Sequence, residues 1–286
     1  MQRSSVAVGE LAAAIESHKM TTRANVLTFD IERRPGIYLS WGPRADHLSR
    51  DKQLIRSSTI SFAAKWYGKP EVIFRSIGHG ATMYKQPEDT PGYRSMLTAI
   101  RDLMDKADIV VGYNSIRFDE AKLRGEWARL GIAQPSPYRS VDLMRTVKRM
   151  GWDYSSLAET LSAFGLEGKT AHQGFSLWTD CLAGDPEAWA LMEEYNVQDV
   201  RQTEAAYDCL RPLIKDHPNL NLWSGFDESG NPVEVCCNCG KSELALVEGK
   251  SAMTALTNYA LVECRACGAH MRRNFVKART TLRSVK

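Results

Sequence analysis

The stretch "NVLTFDIERRPG", residues Asn25 to Gly36, places two carboxylates, Asp30 and Glu32, on an otherwise apolar strand. Side chains alternate across a strand, so the two acids share one face while Leu27, Phe29 and Ile31 point to the other. Like charges side by side repel, and burying them without a partner is costly. A strand of this kind folds only where its acidic face meets water or a cation.

The later acids narrow that choice. "VVGYNSIRFDEAKL" puts Asp119 just past an apolar strand, at the start of a helix, where an Asp commonly serves as N-cap. "EEYNVQDVRQTEAAY" puts Tyr195 and Asp199 four apart in a helix, on one face and about one turn from each other. Taken singly, these are a solvated strand face, a cap and a surface pair. Taken together, Asp30, Glu32, Asp119 and Asp199 can converge at one edge of a mixed sheet and offer hard oxygen ligands to two divalent cations. Two such ions about 3.5–4 Å apart suit phosphodiester hydrolysis.

The segments between them read as alternating elements. A strand over Val26 to Glu32 leads into a Pro/Gly loop carrying Trp41. Two β-rich runs, "STISFAAKWYG" and "EVIFRSI", are parted by a turn at Lys69–Pro70. Helices are expected over Tyr93 to Lys106, Asp119 to Leu130 and Pro186 to Leu210, with a strand "DIVVGYN" and a short strand ending at Val141. A meander followed by alternating helices and strands predicts an α/β fold, a mixed sheet flanked by helices.

"LTFDIE", "GYNSIRFD" and "YNVQD" resemble the three motifs of the DEDD (DnaQ-like) 3′–5′ exonucleases, whose fold is ribonuclease H-like. The resemblance runs from about Val26 to Tyr207. It implies Asp30, Glu32, Asp119 and Asp199 as ligands of two Mg²⁺ or Mn²⁺ ions, and Tyr195 beside the attacking water, the arrangement of the tyrosine (DEDDy) branch. In the histidine branch a His stands five residues before the last Asp, where this chain has Glu194. A tyrosine, with an ordinary pKa of about 10, orients the water rather than deprotonating it. Asn114 matches the motif-two position near the terminal nucleotide, or else caps its turn. Phe29 and Phe118 flank motif acids and are expected in the core, with base stacking as the alternative for Phe118. Asp142 is expected to cap a helix, and Trp41 and Trp66 to pack internally, with a stacking platform as the alternative for the pair. Lys169 and His172, in "LEGKTAHQG", are placed to reach the phosphate backbone.

The chain carries seven cysteines, and five of them crowd its C-terminal part. "CCNCG" and "CRACG" form two C-x-x-C-G knuckles, and Cys236, Cys239, Cys264 and Cys267 suit one tetrahedral structural zinc. The glycine after each knuckle permits a tight turn with positive φ. Cys237 is a spare and His270 a substitute ligand. The pattern resembles a zinc ribbon, and a module so small needs the metal to fold. Paired C-x-x-C motifs without a secretory leader favour metal over disulfides.

The net charge is +3, and residues 221–286 hold nine Lys and Arg against six Asp and Glu. The last nineteen residues hold six basic residues and no acid, which suits a polyanion. No apolar run reaches the roughly 20 residues of a membrane helix, and a cytoplasmic protein is expected. The expected organisation is an N-terminal extension over 1–19, an exonuclease domain over 20–216, a linker over 217–232 and a zinc ribbon with basic tail over 233–286.

The resemblance therefore implies a 3′–5′ exonuclease acting on nucleic acid with a single-stranded 3′ end, and the chain is similar to predicted bacteriophage exonucleases. A polymerase or other replication protein is a further expected partner through the zinc ribbon. Two other readings share the same residues: a non-cleaving adapter for nucleic acid or a replication protein, and a structure-specific endonuclease.

Overall fold

The computed structural model describes residues 24–42, 48–78, 83–166 and 174–280. Lys169, His172 and the 1–19 extension lie outside these residues. The chain divides into two compact units, Asn25–Cys209 and a second whose described part is Ala24 and residues 210–280.

The first unit is built on a five-stranded mixed sheet. Its strands are β1 (Val26–Arg34), β4 (Ser58–Trp66), β5 (Val72–Ser76), β6 (Ile109–Gly112) and β7 (Arg139–Asp142), in the order β5-β4-β1-β6-β7. β1 is antiparallel to β4, and β4 to β5, so the expected meander forms. β6 and β7 add in parallel on the other side of β1, through a helical crossover. β1 is therefore the central strand, and Asp30 and Glu32 sit at its C-terminal half, past the last residue that pairs with β6. A short ladder of β2 (Ile37–Tyr38) and β3 (Gln53–Ile55) lies in the stretch expected to be loop.

The helices are α1 (Tyr93–Asp105), α2 (Asp119–Leu130), α3 (Leu143–Arg149), α4 (Leu157–Ala163), α5 (Ser176–Ala183) and α6 (Pro186–Leu210). α1 buries Tyr93, Met96, Leu97, Ile100 and Met104, a helical stripe packed with Leu27, Phe29, Ile31, Phe62 and Trp127 in one apolar cluster. Each such side chain contributes roughly 1.5–3 kcal/mol on burial, well above what helix propensity adds. Trp127 is fully buried because its indole N–H finds the Leu97 carbonyl at 2.9 Å. α2 stops at Gly131 (φ 63°), whose left-handed conformation ends the helix.

Two aromatic expectations are corrected. Trp41 is fully exposed rather than packed: it lies in a bend past the two-residue β2, outside the five-stranded sheet that organises the core. Phe118 is 42% exposed rather than in the core: it precedes α2 at a backbone position (φ −113°, ψ −80°) that turns it off the sheet. Phe29 is buried, and Trp66 packs partly buried against the core.

The second unit contains a three-stranded antiparallel sheet, β8 (Leu244–Met253), β9 (Thr257–Cys264) and β10 (His270–Arg279), with β9 central. The knuckles repeat one another. Gly240 N–H donates to the Cys236 carbonyl at 2.9 Å and Gly268 N–H to that of Cys264 at 2.8 Å. Both glycines have the positive φ these turns require, 71° and 75°. Among the described residues no helix is long and apolar enough to cross a membrane.

Candidate metal and nuclease site

The acidic cluster is assembled by β1 and α6. Asp30, Glu32 and Asp199 each offer a carboxylate oxygen, and these oxygens lie within 4.8 Å of one another. Asp199 is 6% exposed, so its charge is largely removed from water. Three carboxylates this close repel strongly unless a cation or protons offset them. Oxygen donors on two rigid elements are the chemistry of a hard divalent ion.

Two neighbours fix the acids. Asn196 is fully buried and donates from Nδ2 to Asp30 Oδ2 at 2.8 Å, while its Oδ1 accepts from Ser61 Oγ at 3.2 Å. Trp178 on α5 donates from Nε1 to Glu32 Oε2 at 3.2 Å. The Trp178 ring packs edge-on against Tyr195, with centroids 6.1 Å apart. Asn196, Ser61 and Trp178 were not singled out from sequence. Asn196 stands inside the quoted "YNVQD", but nothing local distinguishes it from an ordinary helical Asn.

Asp119 is not one of these three. It is the first residue of α2, 4% exposed, and its Oδ1 accepts from the Ile31 N–H at 3.3 Å. It does not cap the helix; α2 has no side-chain cap, and the first-turn acids Asp119 and Glu120 complement its dipole. Burial pushes the Asp119 carboxyl up to about 7, against the hydrogen bonds from its own N–H and that of Ile31, with Asp142 and Glu120 adding to the rise. Glu120, also buried, is held by Ser140 Oγ at 2.8 Å and by Tyr138 and Arg124, each at 3.1 Å.

The loop between β6 and α2 is tightly constrained. A Cβ on Gly112 would lie 2.5 Å from Ser115 Cβ, so only glycine fits there. Asn114 adopts φ 62°, and its N–H donates to Asp142 Oδ1 at 2.9 Å. The same oxygen accepts from Met144 N–H at 3.1 Å, so Asp142 caps α3 and also ties down the loop. Phe118 projects from this loop with Lys122 Nζ 6.0 Å from its ring centre.

In the second unit Cys236, Cys239, Cys264 and Cys267 bring their sulfurs within 4.8 Å of one another. Cys236 and Cys267 Sγ are 3.7 Å apart, and Cys239 and Cys264 Sγ 3.6 Å. Four soft donors so arranged could bind zinc. Cys237 and His270 are not in the group; the Cys237 N–H donates to Met271 Sδ at 3.2 Å.

A model of the RNase_H superfamily matches residues 76–211. No curated protein matches the chain. Among solved structures, the family B DNA polymerase from the hyperthermophilic archaeon Pyrobaculum calidifontis is similar at 21% identity and a TM-score of 0.48. That match covers 73% of this chain and 26% of the polymerase, so the chain spans about a quarter of its length. With the superfamily match and the β5-β4-β1-β6-β7 mixed sheet flanked by helices, the larger unit is a ribonuclease H-like domain.

Proposed function

We propose that this protein is a metal-dependent 3′–5′ exonuclease that hydrolyses phosphodiester bonds of DNA or RNA. The observation that carries the reading is the mutual closeness of the Asp30, Glu32 and Asp199 carboxylates on β1 and α6. These three, with Asp119, would hold Mg²⁺ or Mn²⁺. When bound, the ions acidify a water and stabilise the leaving oxygen of the displacement. The superfamily match over residues 76–211 supports a nuclease, and the order of the three motifs supports the 3′–5′ polarity.

The chain's own residues supply position. Trp178 and Asn196 position Glu32 and Asp30 through the hydrogen bonds they donate to them. Tyr195 is 7% exposed and one helical turn from Asp199, and its phenol orients the attacking water. The water oxygen bonds to phosphorus, the P–O3′ bond breaks, and a nucleoside 5′-monophosphate leaves. Asn114 shapes the loop that receives the terminal nucleotide, and Phe118 stacks on a base. Lys169 contacts the backbone in this reading. Cys236, Cys239, Cys264 and Cys267 hold one structural zinc, and the basic C-terminal unit helps retain nucleic acid.

The test uses 5′-labelled single-stranded DNA and RNA of one sequence, with Mg²⁺ or Mn²⁺ and an Asp199→Ala control. A ladder that shortens from the 3′ end, and is lost in the control and with chelator, is the expected result. Absence of cleavage by folded, metal-supplied protein overturns it, and internal cuts replace it with an endonuclease.

A further inference from the structure

The face of α2 that turns away from the core carries a stripe of a different character from the acidic site. Phe118, Lys122, Gly125 and Arg129 follow one another at spacings of four, three and four, so they lie on one side of the helix, and all are exposed. Arg129 opens onto a cavity of about 520 Å³ that is lined by Arg50, Gln53, Leu54, Arg56, Gln86 and Arg129. A second cavity of about 210 Å³ shares Arg56 and Arg129 with it, and runs back along α2 past Gly125 and Lys122 to Arg33. Five cations line the pair of cavities against two carboxylates, Glu88 and Glu126. Glu88 pairs with Arg56, and Glu126 with Arg33. Among the described residues neither Arg50 nor Arg129 makes an ion pair.

Gly125 gives the second clue. Glycine inside a helix is unfavourable relative to alanine, and a Cβ placed there would meet nothing within 4 Å. Packing within the chain therefore does not require a glycine. What it does provide is a flat floor between Lys122 and Arg129, where an approaching ligand comes close to the backbone.

Resting on the nuclease reading above, we infer that this groove is a track for the sugar-phosphate backbone of a single strand whose end lies in the acidic site. Charge complementarity selects the occupant: five cations against two carboxylates leave a positive excess that calls for a polyanion, and guanidinium forks suit phosphate. Length selects its class. Asp119 to Arg129 is ten residues of helix, about 15 Å, which at roughly 3.4 Å per stacked nucleotide is about four nucleotides. Lys122 and Arg129 then meet phosphates a few positions from the scissile bond, and Arg50 and Arg56 those beyond. The carboxylates select the reaction, and the stripe selects strands long enough to reach the arginines.

The test compares binding of fluorescent single-stranded DNA and RNA, three and twelve nucleotides long, by the zinc-loaded full chain with no added Mg²⁺ or Mn²⁺, where no cleavage occurs. Expected is a five- to tenfold loss of 12-mer affinity in Arg50→Gln/Arg129→Gln, with a trinucleotide affinity that does not follow it. The salt slope of 12-mer binding should fall by about 1.4, two single-strand phosphate contacts. Gly125→Gln, which fills the floor but keeps a helix former, should weaken the 12-mer in the same way. A double variant that binds the 12-mer with the wild-type affinity and salt slope overturns the track while leaving the nuclease reading standing. Equal losses for both lengths also overturn it, by placing the arginines at the end site. Wild-type protein that neither binds nor cleaves any strand overturns the nuclease reading itself.

Discussion

Asn196 and Asp30, 166 positions apart, are joined by a 2.8 Å hydrogen bond from Asn196 Nδ2 to Asp30 Oδ2 inside the acidic cluster. The same amide accepts from Ser61 on β4, so a single buried side chain on α6 sets the position of a β1 carboxylate. Partners that orient metal-ligating carboxylates commonly change metal affinity or activity by 10–100-fold when removed. Asn196→Ala should therefore raise the Mn²⁺ concentration needed for half-maximal cleavage by about tenfold or more. Titration of cleavage against Mn²⁺ checks this; an unchanged midpoint would show that Asp30 holds its position without Asn196.

Asp199→Asn removes one of three mutually close carboxylates. In chelator the variant should melt at or above the wild-type temperature, because like charges at this range repel by about 1 kcal/mol or more. With Mg²⁺ or Mn²⁺ at a hundred times its dissociation constant the wild type should gain about 2.7 kcal/mol, and the variant much less. Calorimetry with and without the ion gives the comparison. A wild-type transition that no divalent cation moves would sink the metal site.

Purified protein should contain one zinc per chain, lost in Cys264→Ser and kept in Cys237→Ser, since Cys237 lies outside the sulfur cluster. Removing the metal should leave residues 210–280 open to protease while Asn25–Cys209 stays protected, because the apolar cluster around the sulfurs has, among the described residues, just Cys236, Cys264 and Ala269 buried. Elemental analysis and limited proteolysis test the two halves of this statement.

His217 supplies a pH dependence for the second unit. Burial pushes its imidazole down to about 4, against the hydrogen bond with the Pro218 carbonyl, and Arg211 deepens the depression. Between pH 6.5 and 4 the unfolded chain binds a proton that the folded one refuses, so this contribution to stability is present at neutral pH and is lost as pH falls. Urea unfolding of the second unit at pH 7, 5.5 and 4.5 should show a shallower decline in His217→Gln than in the wild type. Protonation of the zinc-binding thiolates acts on both proteins alike, so parallel declines would remove His217 from the account.

Much of the fold could be read from local pattern. α2 and α6 run over the residues expected, Asp119–Leu130 and Pro186–Leu210, because apolar periodicity, Gly131 and Pro186 all act within a few residues of themselves. The positive φ of Gly240 and Gly268 follows from knuckle spacing alone. The β2–β3 ladder escaped, since strands of two and three residues exist only through each other. Trp41 and Phe118 escaped because residue type reports average burial, not the surface actually within reach.

What the sequence determined by itself is therefore the local chemistry: an acidic face on an apolar strand, a Tyr and an Asp one helical turn apart, and four cysteines at metal-binding spacing. The tertiary structure alone decided who meets whom. It gathered Asp30, Glu32 and Asp199, held Asp119 against the Ile31 N–H, placed Trp178 on Glu32 across 146 positions, and turned Arg50 and Arg129 toward one cavity. The reason is physical. Apolar burial brings α5, α6 and β1 together without regard to sequence distance, and the polar contacts that give the site its character form only after that burial has set the geometry.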